Sequence, residues 1–326
     1  MIKKITALLI CCAVAAAGLA SCGKKEKVRS EKLNIVCTIF PEYDWTKEIL
    51  GSHAEDAEIT YLLDNGVDLH SYQPSAKDMV TISECDLFIY VGGESDTWVE
   101  DALKNAQNEK MQVIDLMEVM GSSAKEEEFK EGMMPEEEEE GEEGEEEPEY
   151  DEHVWLSLRN AEVFCVQISN ALCSLDKANA EDYKANLDAY LKKLEELDTA
   201  YSTLAASAAT STLVFCDRFP FRYFVDDYGF KYYAAFVGCS AETEASFETI
   251  SFLAQKIDEL GLKNVFTIEN SDSSIADAVI SNTEAKDMSV AKLDSIQSVS
   301  SDMIDDGTTY LSIMRSNFDV LKEALN

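Results

Sequence analysis

A chain of 326 residues, 46% of them apolar, is long enough for two ordinary domains with cores of their own. Its 64 acidic residues against 27 basic ones leave a formal charge of −37. Nucleic acid is thereby excluded as a partner, because binding it needs clustered Lys and Arg; cations are the natural partners of such a field.

The chain starts with the basic "MIKK", followed by the apolar "ITALLICCAVAAAGLA". That run is short for a membrane span and gives way to small residues. "LASC" then ends at Cys22, ahead of the polar "GKKEKVRSEK". Residues 1–22 resemble a bacterial lipoprotein signal, in which the cysteine becomes the lipid-bearing first residue after cleavage. The resemblance implies an extracytoplasmic protein anchored to the cell membrane through Cys22, with residues 23–32 as a tether.

From Leu33 onward, short continuous apolar runs read as buried parallel strands: "LNIVCTIF", "EITYLL", "DLFIYVGG" and "QVIDL", then "STLVFC", "KYYAAFVG", "NVFTIE" and "VAKLD". Helical segments such as "SAKDMVTISEC" and "ASFETISFLAQKIDELG" separate them. Strand and helix in alternation predict an α/β fold. Between the two groups of strands lies a long helical pattern. Tyr183, Leu187, Tyr190, Leu191, Leu194 and Leu197 recur in it at three-to-four spacing, with Glu181 and Asp182 favouring its first turn. We therefore expect two α/β lobes with parallel sheets, 33–176 and 209–326, joined by one long rigid helix over 177–208. Residues 122–152 are dominated by Glu, Gly and Pro, cannot bury a core, and are expected to form a mobile acidic loop within the first lobe.

Nine cysteines are present. Cys11 and Cys12 belong to the signal; Cys37, Cys85, Cys165, Cys173, Cys216 and Cys239 sit singly in largely apolar surroundings and read mostly as small core residues. No CxxC pair occurs, which argues against a thiolate zinc site. A Cys216–Cys239 bridge is an open alternative.

Of the three histidines, His53 has no special context and reads as a surface residue. His70 follows an apolar strand and an Asn65-Gly66 turn, and "QPS" then opens a helix. His153 ends the acidic tract where an amphipathic helix begins. Loops beyond the carboxyl ends of parallel strands are where such folds place ligands. A neutral imidazole there suits a metal.

Together "GVDLHSYQPSAKDM" and "DEHVWLSLRNAEVFCVQISNAL" resemble the two histidine motifs of the cluster A-I solute-binding proteins, the metal-binding lipoproteins of bacterial zinc and manganese ABC importers. The likeness runs from about Leu33 to the C-terminus. It includes "YFVDDYGF", "CSAETEAS" and "TTYLSIMRSNFDVLKEAL". It implies two lobes about a long helix, with a metal held between them by two ligands from each. His70 and His153 match the first-lobe pair, and "VAKLDSIQ" makes Asp294 the fourth ligand.

At the third ligand the chain departs from the family. Counting back from Tyr228-Gly229 places Arg218 where relatives carry histidine or glutamate, and a guanidinium offers no lone pair. Asp217 is the expected substitute; Cys216, Glu269 or water are the alternatives. Arg218 and Glu269 would otherwise act by orienting ligands through hydrogen bonds. Tyr72, Trp98 and Phe221 would wall the site.

The resemblance implies a monomeric, non-catalytic protein that captures a divalent metal and passes it to a membrane permease and its ATPase. Ligand type alone leaves Zn(II) and Mn(II) open. The acidic loop, where zinc-specific relatives carry a metal-collecting segment, favours Zn(II), with Mn(II) as the alternative. A surface adhesin is another class of reading. A secreted metal hydrolase is a third, but no HExxH pair is present to support it.

Overall fold

The structure is a computed structural model and describes residues 32–134, 149–240 and 244–326. The signal with Cys22, the tether through Glu31 and the centre of the glutamate tract lie outside the described residues. Among the described residues, no helix is long and apolar enough to cross a membrane.

The first half contains β1 (Leu33–Cys37), α1 (Phe40–Leu50), β2 (Ala57–Tyr61), α2 (Ala76–Glu84), β3 (Leu87–Tyr90), α3 (Val99–Lys104), β4 (Gln112–Asp115), α4 (Leu116–Met120) and α5 (Leu158–Leu175). The long helix α6 covers Ala180–Ser207. The second half contains β5 (Thr212–Phe219), α7 (Arg222–Tyr228), β6 (Lys231–Val237), α8 (Phe247–Leu260), β7 (Asn264–Ile268), α9 (Ser274–Asn282), β8 (Ser289–Leu293), α10 (Ser301–Asp305) and α11 (Tyr310–Ala324).

Each half carries a four-stranded sheet, in the orders β2-β1-β3-β4 and β6-β5-β7-β8, with every pairing parallel. Helices on both faces explain why the strands read as unbroken apolar runs. In β5, Leu213 and Phe215 point into the main core, while Val214 and Cys216 join a second cluster with Leu253 and Ile257 of α8 and Val279 of α9. The alternation is the two-residue period of a strand covered on both sides.

One side of α6 is buried through Tyr183, Leu187, Tyr190, Leu194, Leu197, Tyr201 and Leu204. Spacings of four and three keep these residues on one stripe, and burying each contributes roughly 1.5–3 kcal/mol. The stripe packs on α1 and α5, and Tyr201 Oη donates to Met314 O of α11. A single apolar cluster contains side chains of both sheets, from Ile35 and Phe88 to Phe215 and Phe266.

The acidic insert differs from expectation at its flanks. Glu126 and Tyr150 form an antiparallel bridge, and Asp151 N donates to Lys125 O at 2.9 Å. Met134 N donates to Ala235 O on the edge strand β6, and Lys125 N to Tyr223 Oη, each at 3.0 Å. These backbone groups find partners in the second lobe, so the flanks are fixed rather than extended.

Candidate metal centre

His70 lies in a short 3-10 turn, Leu69–Ser71, reached from the end of β2. Asp68 caps this turn, its Oδ1 accepting from His70 N at 3.0 Å. His70 Nδ1 is 2.8 Å from Ser95 Oγ and 3.7 Å from Glu152 Oε2. Glu152 is itself held by Ser95 N at 2.9 Å. Gly93, at φ +81°, makes room for it: a Cβ there would stand 2.3 Å from Glu152 Oε1.

His153 is wholly buried and begins the turn Val154–Leu156. Its backbone N donates to Asp151 Oδ1 at 2.8 Å, and the same oxygen is 3.1 Å from Nδ1 of the ring. A carboxylate has no proton to give, so Nδ1 carries the hydrogen, and in the neutral ring Nε2 is the nitrogen with a free lone pair. Burial lowers the basicity of this ring, but the charge and hydrogen bond of Asp151 outweigh it and the net shift is upward. Burial also acts on His70; with the His153 charge it drives that pKa down to about 3, leaving a neutral imidazole at physiological pH.

The two Nε2 atoms face one another at 3.3 Å. Two nitrogens bound at about 2.0–2.1 Å to one tetrahedral zinc would lie about 3.3–3.4 Å apart. The pair is thus spaced as one edge of a zinc tetrahedron. A third ligand-bearing residue converges on it: atoms of His70, His153 and Cys239 all lie within 4.8 Å of one another.

Cys239 lies two residues beyond the end of β6, and its N–H donates to Glu127 Oε1 at 3.1 Å. Gly238 before it is closely packed: a Cβ there would stand 3.0 Å from Phe219 O and 3.1 Å from His153 Nδ1, so a side chain would require these neighbours to give by a few tenths of an ångström. Burial raises the Cys239 thiol well above its ordinary value, helped by the charges of Glu127, Asp151 and Glu152. The Cys216–Cys239 bridge left open by the sequence does not form: both are free thiols, and Cys216 belongs to the second apolar cluster.

The other expected site residues are engaged separately. Asp217 sits in β5 where its pairing with β6 shifts register between Phe215 and Arg218. Its Oδ1 accepts from Arg218 N at 2.9 Å and its Oδ2 from Ile268 N at 3.4 Å. The Arg218 guanidinium reaches across to Asp68 Oδ2 at 2.7 Å. Burial opposes ionisation of Asp68, but Arg218 prevails and the pKa is lowered. Asp294 follows β8, with its Oδ1 accepting from Ile296 N at 2.7 Å. Burial and the neighbouring Glu269 raise its pKa to about 7. Glu269 takes Ser295 N and Ser295 Oγ on its two oxygens, each at 2.8 Å. Neither Asp217 nor Asp294 is among the atoms that converge with the histidines.

Tyr72 and Trp98 pack edge to face at 5.8 Å, while Phe221 stacks on Phe215 inside the core. His53 pairs with Asp182 at 2.9 Å near the surface. Cys239 was hidden in the sequence because "KYYAAFVGC" reads as a core strand; its signal was position, immediately beyond the carboxyl end of a parallel strand.

Residues 35–324 match the family model described as zinc-uptake complex component A, periplasmic. The chain belongs to this family. It is similar to the high-affinity zinc uptake system protein ZnuA of Bacillus subtilis, with 31% identity over 330 residues, covering all of this chain and 99% of that one. It is 26% identical over 301 residues to the zinc-binding protein AdcA of Streptococcus pyogenes, covering 91% of this chain but only 57% of AdcA. The chain therefore spans little more than half the length of that relative. The Zn(II)-bound ZnuA-like domain of Streptococcus pneumoniae AdcA superposes with a TM-score of 0.69 at 26% identity, covering 90% of this chain and 99% of that domain.

Proposed function

We propose that this member of the zinc-uptake family captures Zn(II) outside the cytoplasm and hands it to the permease and ATPase of an ABC importer, without catalysing a reaction. The observation that carries the reading is the 3.3 Å approach of the His70 and His153 Nε2 atoms. Two facing lone pairs repel unless a proton or a metal ion lies between them, and the spacing fits an ion of zinc's bond lengths. Similarity to the zinc uptake system protein ZnuA and the zinc-binding protein AdcA supports zinc as the cargo over the Mn(II) alternative.

In this reading His70 and His153 supply the first two ligands. Asp151 holds the His153 ring on target, while Ser95 and Glu152 do so for His70. Asp294, buried beside Glu269, supplies a carboxylate from the second lobe. The strongly negative chain, with its glutamate tract just before His153, raises the local cation concentration at the site. Lipidation at Cys22 would tether the monomer to the membrane beside its permease.

The test is calorimetry on the mature protein. The His70→Ala, His153→Ala double variant should lose at least a thousandfold in Zn(II) affinity while keeping its circular dichroism spectrum. Wild-type affinity in the double variant would sink the reading, and Mn(II) outcompeting Zn(II) would reassign the cargo.

A further inference from the structure

We infer that the Cys239 thiolate is the third protein ligand of the captured ion, so that two imidazoles and one sulfur join the Asp294 carboxylate proposed above. This rests on the zinc-capture reading above and changes its ligand chemistry.

Three observations converge. First, among the described residues the cluster of His70, His153 and Cys239 is the one place where three or more metal-binding side chains come together, within 4.8 Å. In a tetrahedral zinc site with Zn–S of about 2.3 Å, sulfur stands about 3.5 Å from each nitrogen. Adjustment of roughly an ångström therefore completes the set, within the reach of a χ1 rotation or a small loop shift. Second, the alternatives at this position are committed elsewhere. Arg218 has no lone pair and is paired with Asp68. Both Asp217 oxygens accept from backbone N–H groups. Cys216 faces the apolar cluster under the sheet. Third, the backbone is shaped to deliver this cysteine. Gly238 lets the exit of β6 pass close against the His153 ring, where a Cβ would stand only 3.1 Å from it, and Glu127 anchors the next N–H. The sulfur is in no disulfide.

Binding is a proton-for-metal exchange: the S–H bond breaks, a Zn–S bond forms from the same electron pair, and one proton leaves to solvent. A thiolate makes the site softer than nitrogen and oxygen alone, and favours Zn(II) over Mn(II) by ligand type. It also accounts for Arg218: once sulfur from the next strand occupies the third corner, the family's third-ligand position is free to hold an arginine that ties the second lobe to Asp68.

The experiment uses the mature full chain loaded with Co(II) as a spectroscopic stand-in for zinc. Wild type should show thiolate-to-Co(II) charge-transfer absorption in the near ultraviolet. Cys239→Ser should abolish that band and weaken Zn(II) at least tenfold more than it weakens Mn(II); Cys216→Ala and Asp217→Asn should change neither. Zn(II) should also shield Cys239 of the unmutated protein from alkylation. A wild-type Co(II) complex without the band, or Cys239 alkylated equally fast with and without zinc, overturns the proposal. If that happens while the double histidine variant still loses zinc, only the cysteine assignment falls. If the histidine variant binds zinc like wild type, the capture site itself is wrong and this inference falls with it.

Discussion

His153 shows how a single side chain is prepared for the ligand role proposed for it. Its ring is buried, packed 5.2 Å from Trp155, and one Asp151 oxygen takes both its backbone N–H and its Nδ1–H. Asp151 therefore fixes both the tautomer and the direction of Nε2. Replacing it with asparagine keeps the shape but removes the charge that makes the imidazole a better donor. We expect Asp151→Asn to weaken Zn(II) about 10–100-fold, measured by competition with a chromophoric chelator, with unchanged thermal stability of the zinc-free protein; an affinity within twofold of wild type would refute this role. The two histidines were legible in the sequence because each stands at a strand-to-loop or loop-to-helix junction in a polar context. Arg218 was legible as a departure. The cysteine we propose in its place was not, because Cys239 lies twenty-one residues further on. Only the parallel pairing of β5 with β6, with its irregularity between Phe215 and Arg218, brings the two strand ends together. Sequence spacing carries no record of that register.

At the scale of elements, α1 is tied to α11 through a buried acid. Asp44 Oδ2 accepts from Tyr310 N at 2.9 Å, and burial raises its pKa from 3.8 to about 7. The fold thus prefers the protonated form, whereas the unfolded chain ionises near pH 4. The stabilisation is complete below the unfolded pKa and is lost as pH rises through about 7. An asparagine side chain in its place would retain an acceptor for Tyr310 without that loss. Urea unfolding should show Asp44→Asn gaining on wild type between pH 4 and pH 8 by on the order of 2–4 kcal/mol; a pH-independent offset would contradict the assignment. The strands themselves were readable as uninterrupted apolar runs, since helices cover both faces of each sheet. The acidic insert was only partly readable. Its composition speaks for solvation, but the bridge of Glu126 to Tyr150 and the contact of Met134 with Ala235 rest on partners distant in sequence.

For the whole molecule, the two sheets are stitched together by the segment that leaves β8. Trp155 Nε1 donates to Ser295 O, Tyr61 Oη to Val299 O and Ser301 N to Asp64 O, each at 2.9 Å, while Tyr310 Oη donates to Trp155 O at 2.7 Å. These links cross from one half to the other in several places. Tyr310→Phe removes one donor and strands a buried carbonyl. It should cost about 1–3 kcal/mol in denaturant unfolding without altering zinc stoichiometry, and an unchanged midpoint would show the link to be idle.

The stitching has a consequence for time as well as stability. Halves linked at Trp155, Tyr61, Asp64 and Tyr310 would have to break several hydrogen bonds to swing apart like jaws, so the proposed capture of an ion does not call for a hinge. We propose instead that the dwell time of a captured ion is set by the short turns that carry His70 and Cys239. Dissociation would then be a local event, and a partner permease would need to disturb only one turn to shorten the wait.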